Sequence, residues 1–318
     1  MPGTARPKRV FLTGTTGFVG RYVLRELLDR GHEVVCLIRS DEKFRQLFGQ
    51  DICGRVTSVR GTLFDDSVIQ QAVADVDAII HLVGIIREVG RWQTFDRIHR
   101  QGTKALIRAA VGADVRRFVH MSALGARSGA VSKYHRSKWA AERYLHIREI
   151  EETILRPSVI HGPDGEFMQL LKTLACGLVP PVMPYFGSGK HRVQPVSVRD
   201  VARCFVEALH RPETIGKAYE LGGPRSYTWR ELYAVGKRLI PGARRWKPCV
   251  GQPVWLAELL AATVMRTPLV AERFKFNRSQ VQMSQEDSVC DHTVVESAFG
   301  IRLRDFEAEL AEYAAQIA

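Results

Sequence analysis

Hydrophobic positions in the first half of the chain fall into short, β-branched runs separated by stretches with helical spacing. The runs are Arg9–Thr13, His32–Ile38, Val56–Val59, Asp77–Val83, Arg117–Met121 and Thr153–Arg156. Most are apolar along their length instead of alternating, which is the pattern of strands covered on both faces. Between them, 21–30, 95–111 and 134–147 carry the 3.6-residue spacing of amphipathic helices. This alternation predicts βαβ units on a parallel sheet, hence an α/β protein with a Rossmann-type doubly wound parallel sheet. After Pro157 the rhythm breaks. Gly, Pro and aromatic residues crowd 162–195, helical stretches occupy 228–240 and 254–265, and a strand pattern returns at Tyr219–Gly223. The expected organisation is a dinucleotide-binding domain over 1–165 and 190–224, with a smaller, mainly helical C-terminal lobe over 166–189 and 225–318. Within that lobe, Pro253–Met265 is apolar nearly all round, the pattern of a packed helix or of an isoprenoid- or lipid-facing one.

Charge narrows the partners. The 318 residues include 46 Lys and Arg against 34 Asp and Glu, a net charge of +12 that favours anionic partners. The basic residues are scattered in twos and threes, as at Lys8-Arg9, Arg116-Arg117 and Arg244-Arg245, with no aromatic interleaving, so nucleic acid is not an expected partner. Contact with anionic lipid at a membrane surface fits better. Six widely spaced cysteines without a CxxC pair read as reduced, and no cluster has metal-ligand spacing. The opening Met-Pro-Gly-Thr-Ala-Arg-Pro lacks the apolar stretch of a signal peptide, and no uncharged apolar run reaches a membrane-spanning length. The expected location is cytoplasmic, with membrane-peripheral association.

Two motifs carry the chemistry. Gly14, Gly17 and Gly20 form GxxGxxG between the first strand and the first helix, inside the first βαβ unit. The first glycine permits a tight turn, the second lets backbone approach a pyrophosphate, and the third lets the helix pack close to the sheet. The free N–H groups of the helix N-terminus then face the phosphates. At the end of the second strand, where an NAD-binding chain carries an acid, stand Arg39 and Ser40, with Lys43 nearby. A guanidinium there takes a 2′-phosphate in bidentate fashion, so NADP(H) is the expected cofactor ahead of NAD(H). Tyr134 and Lys138 lie four residues apart on one helix face. An ammonium beside the phenol lowers its pKa, and the pair can move a proton while hydride travels to or from nicotinamide.

This combination resembles the short-chain dehydrogenase/reductase superfamily in its extended and atypical branches, the NAD-dependent epimerase/dehydratase type. Further matching stretches are Ile98–Thr103, Leu155–Pro163, Gln194–Ala202 and Tyr219–Pro224. Phe118–Ala126, followed by Tyr134–Lys138 and Ile154–Pro157, is most similar to the group that includes the NADPH-holding accessory subunit of respiratory complex I and its bacterial relatives. The resemblance implies that Gly14, Thr16, Gly17, Phe18, Val19 and Gly20 line the pyrophosphate, Leu63 lies by the adenine, and Leu82, Val83 and Gly84 pass under the ribose. It implies that Lys138 holds the nicotinamide ribose and that Pro157, Ser158 and Val159 edge the nicotinamide. Tyr134 is then the acid/base, with Ser122 as a helper displaced from the usual hydroxyl position, which falls at Ala123 or Leu124. His99 stands where the family's helical asparagine stands, and Thr62 replaces the expected aspartate near the adenine. His161, Phe167 and Gln194 are expected walls of a substrate pocket over the nicotinamide. The implied activity is NADP(H)-dependent oxidoreduction of a small hydrophobic carbonyl or alcohol, quinone-like or isoprenoid. Two alternatives are a catalytically silent NADPH-holding structural or sensor subunit of a membrane-associated respiratory or quinone-related complex, and a nucleotide-sugar epimerase or dehydratase.

Overall fold

The computed structural model describes residues 6–147, 149–267, 270–271 and 274–317. The N-terminal Met1–Ala5, part of the stretch read above for a signal peptide, lies outside them. The strands β1 (Arg9–Thr13), β2 (Glu33–Ile38), β3 (Thr57–Arg60), β4 (Ala78–His81), β5 (Arg117–Met121), β6 (Glu151–Pro157) and a seventh strand, Lys217–Leu221, form one sheet. Its order is β3-β2-β1-β4-β5-β6-seventh, and all its pairs are parallel. The order reverses between β1 and β4, and the crevice beyond their carboxyl ends is where such sheets take ligands.

The uninterrupted apolar runs are explained by two cores, one on each face. Val10, Leu12, Val34, Cys36 and Ile38 point into the layer built by α1 (Phe18–Asp29), α2 (Asp41–Gly54) and α7 (Val198–Ala208). Phe11, Val35 and Leu37, the intervening positions, point into the opposite layer, with α3 (Asp66–Val73) and α4 (Gly102–Gly112). Alternate residues of one strand thus serve both faces. A third core joins α6 (Glu166–Cys176), α8 (Trp229–Leu239) and the helix Phe306–Tyr313 into the smaller lobe.

Packing decides two features that the sequence pattern leaves open. The helix His292–Phe299 packs on the sheet and not in the lobe, with Val295 and Phe299 in the first core and the Phe299 ring edge-on to Tyr219 at 5.0 Å. And α9 (Val254–Ala262), apolar nearly all round, buries only Ala257 and Ala261, leaving Trp255 69% and Leu259 53% exposed. No helix among the described residues is long and apolar enough to cross a membrane.

Candidate functional site

The glycine turn is fixed by close approach. Gly14 follows β1 with φ +79°, and a Cβ there would lie 3.2 Å from Leu82 Cβ and Val83 N, so the turn rests on the end of β4. Gly17 N–H donates to the Gly14 carbonyl at 2.9 Å. A Cβ on Gly20 would stand 2.1 Å from the Gly14 carbonyl oxygen, a position only glycine can occupy. Gly17 begins α1 without a side-chain cap, and the first turn carries no acid, so its N–H groups have no local carboxylate competitor. Val19 sits in the core, and the Phe18 ring packs against Gly162 and Gly165; what these two offer a pyrophosphate is backbone. Thr16 is half-buried.

At the adenosine end Arg39 is exposed just past β2, and Ser40 caps α2 by accepting from Lys43 N–H at 3.2 Å. Ile38 pairs with Arg60 of β3, so a second exposed arginine ends the neighbouring strand one register position from Arg39, one that the sequence pattern did not reveal. Thr62 is bonded through its N–H and hydroxyl to Asp65, at 2.6 and 2.8 Å, which supplies the acid of this loop. Leu63 is buried against Gly102, where a Cβ would come within 2.9 Å of it.

The other end is built from side chains. Ser132 caps α5 (Lys133–Glu142), accepting from His135 N–H at 3.1 Å, and sets Tyr134 and Lys138 one turn apart. Lys138 is 2% exposed, and its ammonium donates to the Met121 carbonyl at the end of β5 at 3.0 Å. Burial pulls its pKa down to about 8, against the opposing pull of Glu142. That carboxylate is held by Arg156 at 2.9 and 2.6 Å. A Cβ on Gly84 would come within 2.8 Å of Lys138 Nζ. Leu82 to Gly84 therefore touch both halves of the site, the glycine turn through Leu82 and Val83 and the lysine through Gly84.

Tyr134 corrects one expectation. Its phenol is pushed up to about 12 by burial, and the neighbouring ammonium does not depress it. Its ring stands edge-on to Phe95 and His99, with centroids 5.8 and 5.6 Å apart. His99 accepts the Ile85 N–H at Nε2 (2.9 Å), and its Nδ1 faces Ser137 Oγ at 2.8 Å. His81 lies between the Thr13 and Thr103 hydroxyls, at 2.7 and 3.1 Å, and Lys138 and desolvation together hold His81, His99 and His120 neutral. Both ring nitrogens of His120 and the Ser122 hydroxyl are buried with no partner among the described residues. These histidines were not drawn together by any sequence signal, because His81, His99 and His120 lie on different elements.

The expected pocket walls fall elsewhere. His161 is fully buried in the lobe, bonded through Nδ1 to the Tyr313 hydroxyl at 3.0 Å and edge-on to Phe306. Gln194 is buried too, accepting from Cys290 N–H at 2.8 Å and donating to the Gly223 carbonyl at 2.5 Å. Both side chains are held by these partners. Phe167 packs on Trp229 at 6.5 Å. Pro157 closes β6, Ser158 shares hydrogen bonds of 3.0 and 2.9 Å with Ser288, and Val159 packs against the lobe core. Among the described residues no three His, Cys, Asp or Glu side chains converge on a metal position. A dinucleotide suits what is present: a glycine turn packed too closely for side chains at Gly14 and Gly20, an uncapped helix start, and orphaned polar atoms at Ser122 and His120.

Residues 10–222 match the family described as NAD dependent epimerase/dehydratase. The chain is 30% identical over 251 residues to NADH dehydrogenase (ubiquinone) 1 alpha subcomplex subunit 9 of Arabidopsis thaliana, a stretch covering 78% of this chain and 61% of that protein. It is 32% identical over 238 residues to the ceramide reductase of Caulobacter vibrioides, covering 74% and 71%. The match thus spans about six tenths of the length of the plant relative. Among solved structures, gox2253 superposes with a TM-score of 0.73 at 24% identity, over 96% of this chain and 97% of that one. MoeE5, solved in complex with UDP-glucose and NAD, gives 0.70 at 20% identity over 97% and 98%. These two likenesses establish the fold alone.

Proposed function

The chain belongs to the NAD dependent epimerase/dehydratase family, and from that membership we propose that it is an NADP(H)-binding oxidoreductase of the atypical short-chain dehydrogenase/reductase kind. The observation that carries this reading is the convergence on Leu82–Gly84, where the glycine turn packs on one side and the buried Lys138 on the other, a helical turn from Tyr134. The pyrophosphate lies on the Gly14–Gly20 turn. Arg39, aided by Arg60, takes the 2′-phosphate, and Lys138 holds the nicotinamide ribose. When bound, the nicotinamide supplies or accepts hydride. Tyr134, its phenol pushed up to about 12, is the proton donor to a carbonyl oxygen in reduction and the acceptor in the reverse step. The substrate class is a hydrophobic carbonyl, in keeping with the exposed Ile86, Val89 and Trp92 on the loop that leaves Gly84. Residence at a membrane surface or in a respiratory, quinone-related assembly follows the complex I relatives and the charge of +12.

A second reading draws on the same tyrosine. A high tyrosine pKa with no cation drawing it down also suits a silent NADPH holder, the role of a structural subunit. A titration with NADPH and NADH, then a panel of quinones and aldehydes, separates the two. Tight NADPH binding with turnover that Tyr134→Phe abolishes while binding survives supports the enzyme. Binding without turnover for any acceptor supports the silent holder. Tighter NADH than NADPH overturns the role given to Arg39.

A further inference from the structure

We infer that His99 is a positioning residue, whose neutral imidazole ties the backbone after β4 to the first turn of α5 and so keeps Tyr134 and Lys138 in register with Gly84. The placement deepens the oxidoreductase reading and rests on it for its functional meaning, though the tie itself stands without a cofactor. Its direction is fixed by the partners. Ile85 N–H can only donate, so Nε2 of His99 must accept, at 2.9 Å. A neutral ring then carries its proton on Nδ1, which donates to Ser137 Oγ at 2.8 Å. The Ser137 hydroxyl keeps its own proton for the Tyr134 carbonyl, 2.7 Å away. Three hydrogen bonds run one way, from Ile85 to the peptide of Tyr134, and no atom is asked to donate twice.

The ring has little freedom to do anything else. Phe95 stacks on it at 5.6 Å with planes 26° apart, and Tyr134 meets it edge-on at 82°. His99 lies within the wide π-helical turn Asp96–Gln101 that precedes α4, the kind of local widening that recurs at functional positions. From there it shares one target with the lysine: a Cβ on Gly84 would lie 3.5 Å from His99 Nε2 and 2.8 Å from Lys138 Nζ. A side chain at Gly84 would collide with the lysine and crowd the imidazole, so the two groups clamp the same stretch of backbone. A proton-relay role would require Nε2 to take up a proton, which breaks the Ile85 bond and sets a cation beside Lys138. His81 of β4 and His120 of β5 face the same cluster, and Glu142 is the acid beside Lys138. The geometry therefore favours holding over relaying.

The test begins on the unaltered, cofactor-free protein, by nitrogen NMR of 15N-labelled histidine. The expected result is a His99 ring protonated at Nδ1 and bare at Nε2, unchanged from about pH 5 to 8 around the ordinary imidazole value. An Nε2–H tautomer, or titration within that range, overturns the proposal. Variants then separate the two ends, because glutamine reaches the Nε2 position and asparagine the Nδ1 position. Exchange of the Ile85 amide should quicken about tenfold in His99→Asn and His99→Ala, the worth of one buried hydrogen bond, and stay slow in His99→Gln. NADPH affinity should fall in both His99→Ala and Ser137→Ala, whose effects should not add in the double variant. Unchanged Ile85 exchange in His99→Ala, or rescue by asparagine and not glutamine, overturns it. If the tautomer and the Ile85 protection stand while the unaltered protein binds no NADPH, the oxidoreductase reading fails and the tie survives.

Discussion

At the β1–α1 turn the site is made of backbone: three glycines, a carbonyl that tolerates no Cβ beside it, and a helix start with no side-chain cap. At the β5–α5 end it is made of side chains: the buried Lys138, Ser122 and three histidines held neutral, with the half-buried Tyr134 beside them. The first region has nothing to titrate, and its fit is steric. The second is stable only while its imidazoles stay neutral and its one ammonium keeps its carbonyl partner. The contrast teaches that the two halves of one crevice should fail under different insults.

Acid is the largest of these. Burial pushes His81 and His161 down to about 3 and His135 to about 4, and His99 and His120 well below their ordinary value. Folded values below the unfolded one of about 6.5 mean that the unfolded chain takes up protons the folded chain refuses, so stability is full above that pH and is lost as pH falls toward 4. Each such histidine contributes up to about 1.4 kcal/mol per pH unit in that window, against a total of about 5–15 kcal/mol for a whole fold. Urea unfolding at pH 7 and pH 5 should therefore differ by several kcal/mol; equal midpoints break the comparison.

The glycine end should answer to size instead. Gly20→Ala forces a methyl to 2.1 Å from the Gly14 carbonyl, and should cost about 1–3 kcal/mol or more while also abolishing NADPH binding. Gly17→Ala meets the same oxygen only at 3.1 Å and should leave the melting temperature nearly unchanged while weakening NADPH at least about tenfold, because its methyl stands where the phosphates approach. A Gly17→Ala protein that binds NADPH normally removes the turn from the site. At the adenosine edge, Arg39→Ala should cut the preference for NADPH over NADH by about tenfold, the worth of a charge-assisted hydrogen bond, and Arg39→Ala with Arg60→Ala by more.

How much of this was legible follows the same divide. The strands and the doubly wound order were readable because short β-branched runs such as Val10–Leu12 and Val34–Ile38 are apolar on consecutive positions, as strands covered on both faces are, and alternate with helical spacing. The glycine turn was readable because its steric demands are local and fall at fixed spacing. The side-chain end was readable only as far as Tyr134 and Lys138 share a helix. That His99 meets Ser137, 38 positions away, and that His161 and Gln194 are spent on Tyr313 and Cys290 depends on tertiary partners that carry no spacing signal. Position in the family pattern pointed His161 and Gln194 toward a pocket, while their burial and their bonds to Tyr313, Gly223 and Cys290 put them in the frame. The helix His292–Phe299 falls within the 225–318 span expected for the lobe, because nothing local in its sequence tells which core it faces.

The smallest expected effect is the control for both regions, and it lies in α9, where hydropathy and packing part company. Trp255 and Leu259 are among the large apolar residues of that helix, yet they meet solvent, while the small Ala257 and Ala261 are its buried positions. If stability follows burial and not residue type, Trp255→Gln should change the unfolding free energy by less than about 0.5 kcal/mol. Ala257→Leu, a gain of apolar volume at a fully buried position, should cost about 1–3 kcal/mol. Both are read from urea midpoints at pH 7, with NADPH affinity unmoved because α9 supplies none of the groups placed on the cofactor. A tryptophan loss that costs more than the alanine enlargement means α9 is packed against something in solution, and its exposed face is then part of an interface.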